Sequence, residues 1–261
     1  MYPYEIIFGM NLYDIFLSVG VVSALVIARY FADRDKVSAK LFNFILLTGC
    51  VAIALGYFSA VFTQAIYNWL DGEPFAISTT TGATFLGGLV GGVAVFLVGY
   101  FLVGHFLFED KENINYFPRL LDFAAVSITA AHGFGRLGCL MVGCCHGAET
   151  CAWYGLYHVD LGIKVVPIQL FEALFLFTLC IILAILACKK IRGTMSIYML
   201  SYGIWRFIIE NYRADDRGST IVSFLTPSQL TAVIMILASI LVFVYTNIIS
   251  KRKGHAGVIN E

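Results

Sequence analysis

The sequence predicts an all-α integral membrane protein, from its composition and its repeated apolar runs. Of its 261 residues, 59% are hydrophobic and 13% are charged, whereas soluble globular proteins carry about 45–50% apolar and about 25% charged residues. The apolar runs recur along the whole chain, and each has nearly the ~20 residues that a helix needs to cross a bilayer. A soluble fold is therefore disfavoured, and we predict a single transmembrane domain over residues 1–261.

Hydropathy and basic residues predict the number and direction of the spans. We predict seven transmembrane helices, at residues 11–32, 41–68, 85–107, 119–142, 168–188, 195–212 and 228–249. Cytoplasmic loops retain Lys and Arg, and most basic residues flank alternate spans on one side: Arg34, Lys36, Lys40, Lys111, Arg119, Lys189, Lys190, Arg192, Lys251, Arg252 and Lys253. The other side has Lys164, Arg213 and Arg217. This asymmetry predicts an extracytoplasmic N-terminus, a cytoplasmic C-terminus and extracytoplasmic loops at 69–84, 143–167 and 213–227.

The net charge and the basic residues indicate which partners to expect. The formal net charge is zero, so we expect no nucleic-acid partner, because phosphate-tracking proteins carry a basic patch. The short basic run 251–253 is typical of a cytoplasmic anchor.

Small residues at 87–92 (GGLVGG) recur at the spacing that lets helix backbones approach closely, which predicts helix packing there.

Ionisable residues inside the predicted spans are the first candidates for a site, because a charge in the membrane usually faces a partner, a cavity or a substrate. Arg206 and Glu210 lie four residues apart on one helical face, with Arg213 three residues further. Arg136 lies in another span and has no acid close to it in sequence. Gln169 and Glu172 begin the fifth span.

Two interpretations of these charges remain open: an ion-pair network that locks helices together, or a headgroup site for an anionic phospholipid. Arginine binds phosphate through two parallel hydrogen bonds. We favour the phospholipid site, centred on Arg136 and Arg206, and expect no soluble cofactor. His132, one turn before Arg136, is either part of that site or a core histidine.

Four of the seven cysteines form a second candidate region. Cys139, Cys144, Cys145 and Cys151 lie close together with His146, whereas Cys50, Cys180 and Cys188 are scattered through apolar helices. The spacing lacks the C-x(2–4)-C pairs of a zinc ribbon, so we expect no metal. Two alternatives remain: a structural disulfide, Cys144–Cys151 or Cys145–Cys151, or a reactive thiol. We expect Cys139 or Cys144, rather than Cys180, to ionise readily because of a nearby guanidinium.

Several motifs in order along the chain resemble the bacterial prolipoprotein diacylglyceryl transferase family. They are GGLVG at 87–91, DFAAVSITAAHGFGRLGCLMVGCCHG at 122–147, PIQLFE at 167–172, YGIWRFIIENYR at 202–213 and PSQL at 227–230. The resemblance implies a seven-helix protein of the bacterial cytoplasmic membrane that moves the diacylglyceryl group of phosphatidylglycerol to a cysteine thiol. It also implies that Arg136, Arg206, Glu210 and Arg213 hold the lipid phosphate and that Tyr13 lies near the site.

The chain departs from the family pattern where the family places polar catalytic residues. Leu86 replaces the histidine that acts as the family's base, and Val166 replaces the histidine before the proline. In the signature GRxGNFxNxExxG, Cys139 and Val142 stand at the two Asn positions and Cys144 stands at the Glu position. A leucine side chain cannot accept a proton, so the resemblance implies a kept scaffold with changed chemistry.

From the sequence we therefore predict a membrane transferase that binds a phosphatidylglycerol-like lipid and transfers a lipid-derived group to an unidentified, possibly thiol, acceptor. Its predicted catalytic residues are Cys139, Cys144, Cys145 and His146, and its predicted substrate-binding residues are Arg136, Arg206, Glu210, Arg213, Tyr13, Gln169 and Glu172. The alternatives are a non-enzymatic carrier of lipid or sulfur compounds and a thiol–disulfide redox protein.

Overall fold

The computed structural model describes residues 1–7, 9–78, 80–214 and 224–249. The helices within these ranges are α1 Leu12–Arg34, α2 Ala39–Leu70, α3 Phe85–Val98, α4 Gly104–Leu107, α5 Glu112–Val142, α6 Ile168–Cys188, α7 Thr194–Ile209 and α8 Pro227–Val244. A π-helical turn, Gly99–Val103, joins α3 to α4, and another, Tyr245–Ile249, follows α8. A 3-10 turn, Glu210–Tyr212, continues α7.

Two short antiparallel hairpins accompany the helices. β1 (Glu5–Ile7) pairs with β2 (Met10–Asn11), and β3 (Leu156–His158) pairs with β4 (Ile163–Val165). The all-α class is confirmed for the membrane-spanning part, and both hairpins lie outside the spans. Strands of two or three residues are too short to show the alternation that identifies a strand in sequence.

Among the described residues, six helices are long and apolar enough to cross a membrane, and they coincide with six of the predicted spans. The remaining predicted span, 195–212, corresponds to α7 and its 3-10 turn. α7 has 16 residues, fewer than the ~20 that cross the hydrocarbon of a bilayer. The total of seven spans and the orientation therefore stay predictions. Lys251, Arg252, Lys253 and Arg217, on which part of the orientation depends, lie outside the described residues.

The outward faces of the spans are apolar. On α2, Leu47, Ile53 and Tyr57 are 66%, 75% and 69% exposed. Exposed apolar surface of this extent on one helix marks contact with lipid or another apolar partner. This agrees with a multi-pass membrane protein.

The internal contacts divide the chain into two compact units, one formed by Met1–Phe31 with Pro118–Glu261 and the other by Ala32–Phe117. In the Ala32–Phe117 unit, α2 and α3 approach through glycines. A Cβ atom on Gly56 would lie 3.0 Å from the Gly92 Cα and 3.2 Å from the Gly88 carbonyl oxygen. The packing role predicted for residues 87–92 is therefore confirmed.

In the unit formed by Met1–Phe31 and Pro118–Glu261, a buried carboxylate fixes α7 against α5. Asp122 accepts hydrogen bonds from the backbone N–H groups of Gly193 (2.9 Å) and Thr194 (3.1 Å). These groups begin α7, where N–H groups lack partners within the helix and the helix dipole favours negative charge. Every predicted site residue belongs to this unit.

Candidate functional site

Arg206 of α7 and Arg213, which follows the 3-10 turn, form ion pairs with Glu210, as their spacing predicts. Arg206 Nη2 lies 2.7 Å from Glu210 Oε2, and Arg213 Nε lies 3.8 Å from the same oxygen. All three side chains are 3–5% exposed. The row of alternating charges is therefore buried within the protein.

Glu172 of α6 connects this row to α5. Its Oε2 lies 3.1 Å from Arg136 Nε and 3.5 Å from Arg206 Nη1, and its side chain is fully buried. Arg136 thus has an acidic partner, contrary to its isolation in the sequence. The pairing was missed because helical periodicity reveals neighbours on one helix but not which helices adjoin.

Tyrosine and serine hydroxyls also bind these charged side chains, although neither residue is among those predicted from the sequence. Tyr202 donates a hydrogen bond to Glu172 Oε1 (2.7 Å) and accepts one from Arg136 Nη2 (3.3 Å). Arg206 Nη2 donates to Ser228 Oγ at the start of α8 (2.8 Å). Tyr202 lies in the motif YGIWRFIIENYR and Ser228 in the motif PSQL. Their place in these motifs was the signal that could have identified them from the sequence.

We name this group the arginine cluster, comprising Arg136, Glu172, Arg206, Glu210 and Arg213. Three guanidinium groups and two carboxylates converge in this cluster. Arg136 is the most accessible arginine, because its side chain is 16% exposed against 5% for Arg206 and 3% for Arg213. An anion can therefore approach the cluster at Arg136.

His132 lies beside the arginine cluster rather than in it. Its Nδ1 is 3.2 Å from the Tyr198 hydroxyl, and its ring meets the Tyr202 ring edge-on with centroids 4.6 Å apart. These contacts agree with a core histidine that orients tyrosines.

Three of the predicted thiols converge just beyond α5. The sulfur atoms of Cys139, Cys144 and Cys145 all lie within 4.8 Å of one another. We call these three residues the thiol cluster. Cys151 is an exposed thiol, so neither predicted disulfide, Cys144–Cys151 or Cys145–Cys151, is present in the structure.

The backbone that follows α5 explains this convergence. Gly143 has a φ of 81° and Cys145 a φ of 66°, and two left-handed residues so close together reverse the chain towards Cys139. For a residue other than glycine this conformation costs on the order of 1 kcal/mol or more. Gln169 Nε2 donates to the Cys144 carbonyl (2.5 Å), and a ring nitrogen of His158 lies 2.9 Å from the Gly143 carbonyl. The turn is thus held from α6 and from β3.

The end of α7 approaches the same turn. Gly147 and Arg213 form an antiparallel β-bridge, and the Ala214 N–H donates to the His146 carbonyl (3.3 Å). This places the Arg213 guanidinium in hydrogen-bonding contact with the Cys145 thiol.

Cys145 and Cys144 of the thiol cluster differ in the direction in which their neighbours shift their pKa. Hydrogen bonds from the Cys139 and Cys144 thiols, and then the Arg213 guanidinium, lower the pKa of Cys145. Hydrogen bonds with the Cys139 and Cys145 thiols, followed by burial, raise the pKa of Cys144. A hydrogen bond shared by two thiols stabilises one thiolate and leaves its donor protonated. That Cys139 or Cys144 ionises readily stays a prediction.

The remaining predicted residues lie at the margins of the two clusters. The Tyr13 ring packs against Gly138, where an added Cβ would be 3.0 Å from the Tyr13 Cδ2. His146 Nδ1 is 2.9 Å from the Gly147 carbonyl, and its ring meets His158 edge-on. Tyr13 therefore lies beside the α5 turn that carries Arg136 and Cys139, while His146 faces the β3–β4 hairpin.

Comparisons with known proteins agree with this arrangement. The family model for prolipoprotein diacylglyceryl transferase matches residues 4–245. The chain belongs to this family. Phosphatidylglycerol–prolipoprotein diacylglyceryl transferase 2 of Clostridium perfringens is 32% identical over 260 residues, covering 95% of this chain and 94% of that protein. Transferases of the same name from Clostridium tetani and Clostridioides difficile are 27% and 28% identical, covering 91% and 92% of this chain and 94% and 92% of those proteins.

Membership of the prolipoprotein diacylglyceryl transferase family confirms the resemblance seen in the motifs. Together with its apolar helices, it makes the chain a multi-pass protein of the bacterial cytoplasmic membrane and a membrane transferase of lipid groups. The predicted phospholipid partner agrees with the donor that the relatives' names state.

Proposed function

We propose that this protein binds phosphatidylglycerol, or a closely similar anionic phospholipid, at the arginine cluster and transfers its diacylglyceryl group to a thiol. The names of the relatives give phosphatidylglycerol as donor and prolipoprotein as acceptor. The observation that carries the proposal is the convergence of three guanidinium groups in the buried arginine cluster, with Arg136 the most accessible of them, because a charged group inside a membrane protein usually faces a partner, a cavity or a substrate.

Each member of the arginine cluster has a role in this proposal. Arg136 contacts the lipid phosphate in the planar, two-point manner of guanidinium groups. Arg206 and Arg213, which are more deeply buried than Arg136, add positive charge that attracts the phosphate. Glu172 and Glu210 hold the guanidinium groups in place, which limits their reorganisation when charge develops on the departing phosphate.

Two polar residues suit the remainder of the headgroup. Gln169 Oε1 is buried and accepts no hydrogen bond from the described residues, so it is available to a glycerol hydroxyl. Tyr13 packs against Gly138, on the turn of α5 that carries Arg136 and Cys139.

The residues of the thiol cluster and His146 are the proposed catalytic residues. In the reaction, a thiolate sulfur attacks the glyceryl carbon bonded to the phosphate oxygen. The carbon–oxygen bond breaks, its electron pair stays on the phosphate, and a thioether forms. A thiol must lose its proton to react in this way, and Leu86 cannot accept it. We propose that Cys139, Cys144 and Cys145 provide that function, with His146 beside them.

A transfer assay tests the proposal. The protein is placed in nanodiscs that contain phosphatidylglycerol with isotope-labelled acyl chains, together with a cysteine-containing lipobox peptide. Mass spectrometry is then used to detect labelled diacylglyceryl thioether on the peptide or on Cys139, Cys144 or Cys145 of the protein. Transfer is expected for the wild type and for Arg192→Ala, which removes an exposed arginine, and it is expected to be lost in Arg136→Ala.

The absence of labelled thioether from both peptide and protein would refute the transferase. Lipid retention without transfer would instead support the non-enzymatic carrier, and a disulfide within the thiol cluster as the sole product would support the redox protein.

A further inference from the structure

The thiol cluster has the ligand type and spacing of a metal site. Zinc binds thiolate sulfur at about 2.3 Å, which separates the sulfurs of a tetrahedral site by about 3.8 Å. The sulfur atoms of Cys139, Cys144 and Cys145 lie within 4.8 Å of one another, so small side-chain rotations bring them to that spacing. We propose that the thiol cluster binds one zinc ion through three thiolates and leaves its fourth position open to the acceptor thiol.

The number of ligands distinguishes this site from a structural one. Structural zinc sites are closed by four protein ligands, whereas catalytic sites have three and an open position. The group that converges among the described residues has three members, and it includes neither His146 nor Cys151. The sequence spacing argued against a closed four-ligand ribbon, and an open three-ligand site is a different arrangement.

The surroundings of the thiol cluster suit a charged metal–thiolate centre. Three thiolates and one zinc ion carry a net charge of −1, and a fourth thiolate makes it −2. The Arg213 guanidinium, in contact with Cys145, offsets this charge. The hydrogen bond from Gln169 to the Cys144 carbonyl fixes the turn from outside the thiol cluster, as second-sphere contacts do for metal ligands.

This proposal rests on the proposed transferase function and supplies the step that Leu86 cannot perform. A thiol that coordinates zinc is deprotonated by the metal, so no protein base is needed. The acceptor thiol binds the open position and releases its proton to water. Its zinc-bound sulfur then attacks the glyceryl carbon, the carbon–oxygen bond breaks with its electron pair on the phosphate, and the proton is taken up by the glycerol phosphate or by buffer. The neutral thioether is a weaker ligand and leaves the zinc.

Metal binding is tested separately from activity. The full-length protein is purified without chelator under reducing conditions, its zinc content is measured by elemental analysis, and cobalt(II) is substituted to report thiolate ligation by absorption. The expected result is one metal per chain with sulfur-to-cobalt charge-transfer bands. Cys139→Ser, Cys144→Ser and Cys145→Ser are each expected to lower metal affinity at least tenfold. Cys180→Ser, which alters a thiol on α6 bonded to the Val126 carbonyl, is the matched control and is expected to bind as the wild type does.

The open position is tested with the cobalt-substituted protein and two lipobox peptides, one with cysteine and one with serine. The cysteine peptide is expected to intensify the charge-transfer bands, and the serine peptide is expected to leave them unchanged. A protein that binds no metal while its three thiols remain reduced would overturn the inference. So would a spectrum that the cysteine peptide does not alter, because that result indicates a closed site.

The outcomes separate this inference from the transferase proposal. Metal binding with a peptide-dependent spectrum but no lipid transfer would leave the zinc site standing and refute the transferase. Lipid transfer that persists undiminished in chelator and in Cys144→Ser would do the reverse.

Discussion

The arginine cluster and the thiol cluster lie in the same unit, but they are built in different ways. The arginine cluster joins α5, α6 and α7 through buried ion pairs and a tyrosine hydroxyl, and its residues are those that the family resemblance leads one to expect. The thiol cluster lies at the end of α5 and in the reversed turn that follows. Two of its members, Cys139 and Cys144, stand where the motif resemblance implies asparagine and glutamate. We infer that the arginine cluster, proposed to hold the phosphate, follows the family pattern, whereas the thiol cluster, proposed to handle the proton, departs from it.

The strongest test of this comparison restores the family residues. In a variant that combines Cys139→Asn and Cys144→Glu, two thiolate ligands are replaced by the side chains that the family resemblance implies at these positions, so transfer to a lipobox peptide should no longer depend on metal. In the wild type, chelation should reduce transfer at least about 100-fold, the lower end of what proton transfer by a positioned group contributes. The initial rate is measured with and without chelator. If chelation slows transfer by the two proteins equally, the proposed difference between the arginine cluster and the thiol cluster is wrong.

The next largest effect concerns Glu172. Replacing it with glutamine leaves Arg136 and Arg206 without the carboxylate that joins them, and removing one partner of a buried ion pair costs about 3–5 kcal/mol. We expect a pronounced fall in the thermal unfolding temperature of Glu172→Gln in detergent. Glu149→Gln changes an exposed loop carboxylate and serves as the control. If both variants unfold at the wild-type temperature, the buried ion pairs do not hold these helices together.

A third test compares the thiols by their reaction with iodoacetamide. Because Cys139, Cys144 and Arg213 lower the pKa of Cys145, its thiolate should be present at lower pH than that of a free cysteine, whose pKa is about 8.5. Metal-free single-cysteine variants that keep Cys145 lack the Cys139 and Cys144 thiols, so Arg213 is the cause of the lowered pKa that remains in them. In these variants Arg213→Gln should shift the rate profile to higher pH. Arg136→Gln should affect a variant that keeps Cys139 more than one that keeps Cys145. Labelling of Cys145 no faster than Cys180 at every pH would identify the thiol cluster as structural.

The smallest expected effect is on stability in the thiol cluster. Cys144→Ser preserves size and removes no buried ion pair, so we expect it to change the free energy of unfolding by less than about 1 kcal/mol. Urea or thermal unfolding of the metal-free protein measures this change. A loss as large as that of Glu172→Gln would mean that the thiols, like the arginines, hold the fold together.

The sequence predicts the helices well because a transmembrane span is a local property of length and apolarity. The pair Arg206 and Glu210 was also predictable, since both residues lie on one helix. The pairing of Arg136 with Glu172 was not, because it depends on which helices adjoin. The convergence of Cys145 with Cys139 depends on a left-handed conformation that a cysteine rarely adopts. Single-sequence patterns contain no signal for that conformation.

The central claim is that the arginine cluster holds the phosphate of an anionic lipid, and lipid retention tests it most directly. Native mass spectrometry is applied to wild type, Arg136→Ala, Arg136→Lys and the exposed control Arg192→Ala after identical release from phosphatidylglycerol-containing nanodiscs. We expect bound phosphatidylglycerol in the wild type and in Arg192→Ala, and its loss in Arg136→Ala, because that change removes the most accessible guanidinium of the arginine cluster. Arg136→Lys should retain less lipid than the wild type, since an ammonium group cannot make the planar two-point contact. Equal phosphatidylglycerol retention by Arg136→Ala and the wild type would contradict the account.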